Sequence, residues 1–545
     1  MTVARHRLRF LFALAVAAFA WLSPAAGIKV VAKESGYYAS LAKHVVRWLD
    51  GHGVASDFTE GAALASALGE AKLAFLVGYS DTTESEMRAL RAFRERGGRL
   101  VVFHSASPQL AALMGVKPLG YRTAAYPGQW SRMVFSVRYP EGVPTAIRQT
   151  STVLQRAEPL PGKGRVIATW SDRQGRPTGD AAWIATAGGY WMTHVLLADG
   201  DEALKARLLA AIVGGIDPKA WNFKAWRTKA EARHRETRDY AKRFAPRPGE
   251  IRAVWDHSGC GLYPGDWPRT MRVLAGAKVT DVFVNVAGAG FAHYPSAVLP
   301  RSKTYEQEGD QLAACLAAAK GTGIRVHAWM LCFTGTRGTP ERQEIFRKRG
   351  WRLKTADGKL TEYLDPSNAE VREYLLKAVD EICARYRVDG IHLDFVRWYE
   401  RAAKPKDAAG TISKFVAEAR RRVRRPAWLT TAVLGKYPAC VASVGQDWSG
   451  WLDAGLVDYA VPMDYTEDLT KFVSYLDQHA ASKSHARRTI AGIGVTANES
   501  RLDARQVLDQ LALARGKGLA GVALFDLDVT LEQDILPYLK LGPWR

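Results

Sequence analysis

The chain has 545 residues, 47% hydrophobic and 24% charged, so it holds enough apolar material for at least two domains with separate cores, and composition excludes a disordered chain. Its formal charge of +21 suits nucleic acid, an anionic membrane surface or an acidic envelope polymer.

The N-terminus narrows that choice. Arg5, Arg7 and Arg9 precede an apolar run over 10–22, and Ser23, Pro24, Ala25 and Ala26 supply small residues of the kind a signal peptidase accepts. The run falls short of the roughly 20 residues that span a bilayer, so residues 1–26 read as a signal peptide and the mature chain begins near Ala26 or Gly27. Export, to the periplasm or beyond, takes the weight off nucleic acid, for which no binding module is visible. No later stretch is apolar enough for a membrane span.

Residues 27–221 alternate strand and helix. Strands are expected at 28–32, 73–78 and 99–104, each an unbroken apolar run as in a parallel sheet buried on both faces, with helices at 38–49 and 84–94. The pattern predicts a doubly wound, flavodoxin-like α/β domain that closes near 214–221. Residues 222–249 are highly charged and end at Pro246-Arg247-Pro248-Gly249, which reads as a linking helix.

From 250 to 545 eight apolar segments recur, at 251–256, 281–286, 324–331, 388–394, 429–434, 457–464, 490–496 and 521–528, with helical stretches between them. Eight strands alternating with helices over a span near the roughly 250 residues typical of the fold predict a (β/α)8 TIM barrel. The basic run 420–425 reads as a solvated helix end. All five cysteines lie in this half, without CxxC or zinc-like spacing, so packing is expected of them and neither a metal nor a cofactor is implied.

Alternation along each strand assigns side chains to the barrel interior. In the fourth strand Gly390, His392 and Asp394 should point inward, and Ile391, Leu393 and Phe395 outward. In the sixth, Asp458, Ala460, Pro462 and Asp464 should point inward, and Tyr459, Val461 and Met463 outward. The third offers Arg325, His327 and Trp329 inside, and the eighth ends with Asp526 and Asp528. TIM-barrel enzymes keep their active sites at these strand ends. One aspartate there is as readily a helix cap. Several on one rim are harder to explain as caps, because buried carboxylates are costly.

Two resemblances add to this reading. The first domain resembles glutamine-amidotransferase-like domains, but the turn that carries their cysteine reads Phe103-His104-Ser105-Ala106, so that chemistry is absent and an accessory role is expected; a serine hydrolase at Ser105 lacks the GxSxG elbow. The second domain carries Tyr363-Leu-Asp-Pro-Ser-Asn368, Asp389-Gly-Ile-His-Leu-Asp394, Val326-His-Ala-Trp329, Gly445-Gln-Asp-Trp448 and Val461-Pro-Met-Asp-Tyr-Thr466. These resemble the glycosyl-hydrolase-like family 10 barrels.

That resemblance implies a glycoside hydrolase with Asp394 as nucleophile or principal carboxylate and Asp464 as acid/base, or, as in some members of the wider group, with the substrate's own N-acetyl group in place of a protein nucleophile. Arg397 should keep Asp394 ionised, and apolar groups by Tyr465 should raise the pKa of Asp464. Trp255, Trp329 and Trp398 are candidate sugar platforms. Asp256, Asn285, His327, His392, Arg397, Tyr465 and Asp526 complete the expected substrate-binding set. The expected partner is an envelope or extracellular polysaccharide, neutral or acidic. The alternatives are a catalytically weak glycan-binding or scaffold protein and another carbohydrate-active enzyme, such as a lyase or transglycosylase.

Overall fold

The computed structural model describes residues 27–545 apart from Arg138, so the expected signal peptide lies outside the described residues. The chain divides into two compact units, the first ending at Trp226 and the second running from Arg227 to Arg545. Among the described residues no helix is long and apolar enough to cross a membrane.

The first unit is built on a nine-stranded sheet. Five strands, Asp57–Glu60, Ile28–Ala32, Leu73–Val77, Arg99–Phe103 and Gly189–Met192, are neighbours in parallel. Alternation divides the residues of its strands between two cores. Val30, Phe75 and Val101 pack with Leu41 and Trp48 of one helix, while Leu76 and Val102 pack with Leu90 and Phe93 of another. The second of these helices, Glu84–Glu95, begins with a capping box between Thr83 and Glu86. The expectation stops short of the rest, because Pro177–Thr186, Gly164–Ser171, Trp130–Phe135 and Ala146–Ser151 extend the sheet in antiparallel fashion. Ser105 is buried; its hydroxyl donates to the Tyr79 carbonyl at 2.6 Å and accepts from the Ser107 amide, so it is tied into the turn.

The second unit is a closed parallel barrel. Its strands in order are Ile251–Asp256, Asp281–Gly288, Arg325–Leu331, Gly390–Asp394, Trp428–Leu434, Tyr459–Met463, Ile490–Gly494 and Gly521–Phe525, and the first pairs with both the second and the eighth. All eight stand where the apolar segments predicted them. Two concentric cores result. Ala253, Trp255, Phe283, Trp329, Ala432, Val461 and Ala523 fill the interior, while Val254, Val282, Val284, Ile391, Leu393 and Ile493 pack outward against the helices.

Helix starts account for many of the unit's aspartates. Asp266, Asp310, Asp407, Asp447, Asp468 and Asp503 each accept a backbone amide at a helix N-terminus. Asp528 does the same for Leu531 at 2.8 Å. Asp394 and Asp526 cap nothing of this kind, which leaves their burial to be explained.

The basic run is not simply solvated. The helix Ala408–Arg422 ends in it, Arg420 and Arg425 hold Asp458, and Arg422 bridges Glu373 and Asp380. The five cysteines are free thiols, four of them buried.

Candidate active site at the carboxyl ends of the barrel strands

The floor of the site is made by side chains of the lower and middle interior. Asp281 at the start of the second strand receives two hydrogen bonds from Arg325 at 2.7 Å and lies 2.8 Å from His327 Nε2. His327 therefore belongs to a buried ion network at the barrel base, a correction to its expected place among sugar-binding groups. Gly390 makes room for it, since a Cβ there would lie 2.4 Å from His327 Nδ1.

His392 is fully buried above this network, stacked on Phe283 with ring centroids 4.1 Å apart. The Trp255 indole donates to its Nε2 at 2.9 Å, so the proton sits on Nδ1, which donates to Thr430 Oγ1 at 2.8 Å. Burial, helped by His327, holds its pKa well below the ordinary histidine value. His392 is a neutral support for Trp255, and the two are floor, not sugar contacts. Gly492 passes beneath the indole, where a Cβ would come within 3.0 Å of it.

Above the floor stands an aromatic ring of residues. Trp255 meets Tyr465 and Phe525 edge-on, and Tyr465 stacks on Phe525 at 5.4 Å. His257 is open to solvent, between Trp329 and Phe525 at 5.8 Å from each. His257 and Phe525 were absent from the expected set, yet both continue the inward series Ile251, Ala253, Trp255 and Gly521, Ala523. Asn285 donates to the His257 carbonyl and leaves a buried Oδ1 without a partner.

Two carboxyl groups stand at strand ends beside this ring. Asp394 is 5% exposed and Asp526 is partly so; Tyr465 lies within electrostatic reach of both, as it does of Glu499 and Asp464. Burial raises the Asp394 pKa, opposed by the Arg397 charge, the Phe395 amide 2.6 Å from Oδ1 and the neighbouring Trp329 indole, which stops short of a full hydrogen bond. Asp526 is pushed much further up, by burial, then by Asp528 and Asp256, with Arg501 and Thr496 opposing. Arg397 thus favours the ionised form of Asp394 as expected, but dehydration outweighs it and the net direction is upward.

The sixth strand runs in the opposite phase to the one expected. Tyr459, Val461 and Met463 face the barrel interior and Ala460 the helices. Asp464 consequently lies in the outer layer, fully buried, with Oδ1 2.9 Å from His479 Nε2 on the helix Leu469–His479. Burial raises its pKa and His479 opposes the rise. Asp458, also expected inside, is tied outward by Arg420 at 2.7 Å.

Three further expectations are corrected. Phe395 turns inward through a positive φ of 52° immediately after the fourth strand. Trp398 is 2% exposed in the outer core, its indole donating to the Ala403 carbonyl, so no sugar reaches it. Asp256 organises the loop after the first strand, accepting from Ser258 Oγ and the amides of Gly259 and Gly261. Among the described residues no cluster of three or more metal-ligating side chains occurs.

Residues 250–429 match the family Glycosyl hydrolase-like 10, and this segment carries a glycosyl hydrolase-like domain. No curated protein matches the sequence. Among solved structures the chain is similar to the PgaB (BpsB) glycoside hydrolase domain from Bordetella bronchiseptica, at 12% identity over 54% of this chain and 99% of that one, with a TM-score of 0.43. It is also similar to alpha-L-fucosidase isoenzyme 2 from Paenibacillus thiaminolyticus, at 14% identity over 54% of this chain and 48% of that one, with a TM-score of 0.41. A GH18 chitinase from Cycas revoluta is similar at 12% identity over 53% of this chain and 98% of that one, with a TM-score of 0.36.

Proposed function

We propose that the protein is an exported glycoside hydrolase acting on a cell-envelope or extracellular polysaccharide, with Asp394 and Asp526 as its two working carboxyl groups. The observation that carries this reading is the difference in environment between two carboxyls in one aromatic mouth. Glycoside hydrolysis asks for one ionised carboxylate and one protonated carboxyl on either side of the scissile bond. Asp394 has a guanidinium charge, an amide and an indole favouring its ionised form. Asp526 has two carboxylates disfavouring its own. Environments that push two pKa values apart assign the roles: Asp526 protonates the departing oxygen, and Asp394 acts as nucleophile or base.

His257 and Tyr465 offer faces and edges for a pyranose ring, backed by the buried Trp329. Asp464 takes a supporting part through His479. The first unit, with no cysteine before Cys260, is an accessory domain without amidotransferase chemistry.

The test incubates the exported chain with a panel of bacterial polysaccharides and reads product masses. Products from the wild type and none from Asp394→Asn, at equal unfolding temperature, support hydrolysis. Binding without products from the wild type would replace this reading with a glycan-binding protein.

A further inference from the structure

Charge is unevenly distributed around the mouth. Asp526, Asp528 and Asp256 influence one another at the ends of the eighth and first strands. The loops after the second, third and fourth strands carry cations instead. The Arg337 guanidinium lies 4.3 Å over the Phe291 ring, and its charge reaches His257 and His293. The Arg397 guanidinium lies 4.4 Å over Phe395, and its charge reaches Asp394. Arg337 and Arg397 follow the third and fourth strands, which are paired neighbours in the barrel.

These two arginines differ from others in the barrel. Arg325, Arg372, Arg420, Arg422 and Arg515 are each held by a carboxylate. Among the described residues neither Arg337 nor Arg397 is held in an ion pair, and Arg397 Nη1 is buried with no partner at all. His293 beside Arg337 is no counter-charge, since burial holds its pKa down to about 3 and keeps it neutral. Its Nε2 is likewise buried and unpartnered.

Stacking on an aromatic ring fixes the plane of a guanidinium while leaving its N–H edge free. That edge matches a carboxylate with two parallel hydrogen bonds. A neutral sugar covering Arg337 would take water from a cation that has no carboxylate partner and supply none, which costs free energy. We propose that the sugar bound over the second to fourth strands carries a carboxylate, so that the substrate is a uronate-containing polysaccharide gripped by Arg337 and Arg397. The inference rests on the glycosidase reading and adds the substrate class. The positive charge of the whole chain speeds encounter with such a polymer, whereas the two stacked arginines select it.

Calorimetry on the full exported chain at roughly 0.15 M salt tests the proposal, where surface attraction is largely screened. The probes are hexasaccharides of galacturonate, mannuronate and hyaluronan, each beside its carboxyl-reduced form, with product masses read from the same samples. At least one acidic probe should bind about tenfold or more tighter than its reduced form. The double variant Arg337→Gln, Arg397→Gln should erase that preference at unchanged unfolding temperature, and Arg337→Lys, Arg397→Lys should keep only part of it. Equal binding of reduced forms, absence of binding by every acidic probe, or a preference that survives the double Gln variant would overturn the proposal. Cleavage of a neutral glycan without acidic preference sinks it and leaves the glycosidase reading standing. Acid-selective binding without any cleavage does the reverse.

Discussion

Replacing Asp526 by asparagine separates the chemical use of this carboxyl from its part in the fold, because the two roles move stability and activity in opposite directions. The side chain is largely withdrawn from water and feels the charges of Asp528 and Asp256, so its folded pKa stands well above its unfolded value near 3.9. A carboxyl raised in this way weakens the fold as pH climbs through the unfolded value, and the loss is complete only above the folded value. Asp526→Asn keeps the shape and removes that loss. Its backbone amide, 3.2 Å from Thr496 Oγ1, is untouched. At pH 7 the variant should therefore unfold at a higher temperature than the wild type, each kcal/mol recovered adding roughly 2 °C for a unit of this size. Turnover should fall. Loss of a general acid costs on the order of 10²–10⁴-fold, or roughly 2.7–5.4 kcal/mol of barrier. That loss should be seen in full on the natural polymer and much less on an aryl glycoside of the same sugar, whose leaving group needs little protonation. The alkaline fall in the wild-type pH profile should vanish in the residual activity. Calorimetric unfolding and both rates on one preparation decide the matter. A lowered unfolding temperature with equal loss on both substrates would show a structural role, and unchanged turnover on the polymer would remove Asp526 from the chemistry.

Asp464→Ala leaves His479 Nε2 buried without its partner, so it should cost about 2 kcal/mol in denaturant unfolding while turnover of the folded fraction stays within a few-fold of wild type; a selective collapse of turnover in a stable protein would return Asp464 to the catalytic pair. Asp281 is buried, but His327 and Arg325 outweigh burial and depress its folded pKa, so its contribution is present above the unfolded value near 3.9 and lost as pH falls through the folded one. Asp281→Asn should accordingly cost about 3 kcal/mol at pH 6 and flatten the acid limb of stability against pH, and a parallel acid limb in variant and wild type would contradict this linkage. Trp255→Phe removes the donor to His392 Nε2 and should destabilise by about 1–3 kcal/mol, read in urea; an unchanged midpoint would mean that the Trp255–His392 bond does not support the floor.

The barrel was legible because parallel strands buried on both faces leave the same trace wherever they occur, an apolar run between two helices. All eight segments became strands for that reason, and the offsets are confined to their ends, the ladder stopping short of the apolar run in some, such as Gly521–Phe525, and outrunning it in Asp281–Gly288. The antiparallel half of the first unit was missed for the converse reason. Strands such as Ala146–Ser151 and Val153–Pro159 mix buried and exposed residues with arginine, glutamine and threonine, so no apolar run announces them.

The site was harder to read, and the sixth strand shows why. Its residues Tyr459, Ala460, Val461, Pro462 and Met463 are apolar on both faces, so alternation alone cannot say which face is the interior. The flanking Asp458 and Asp464 were left to decide the phase, on the premise that a buried carboxylate belongs in the active site. The outer layer can satisfy carboxylates too, with Arg420 and Arg425 at one end of the strand and His479 at the other. In the fourth strand the same premise led to an inward Asp394, because Ile391 and Leu393 already fixed the outer face. Arg337 had no such guide, since it sits in a loop where no periodicity operates and only the fold brings it over Phe291. A strand-end carboxylate is therefore read as inward from alternation only when the strand's own apolar face has fixed the phase first, as it does for Asp394; in the eighth strand Val522 and Leu524 face the helices, so alternation puts Asp526 on their side, and its place in the chemistry rests on the charges around it.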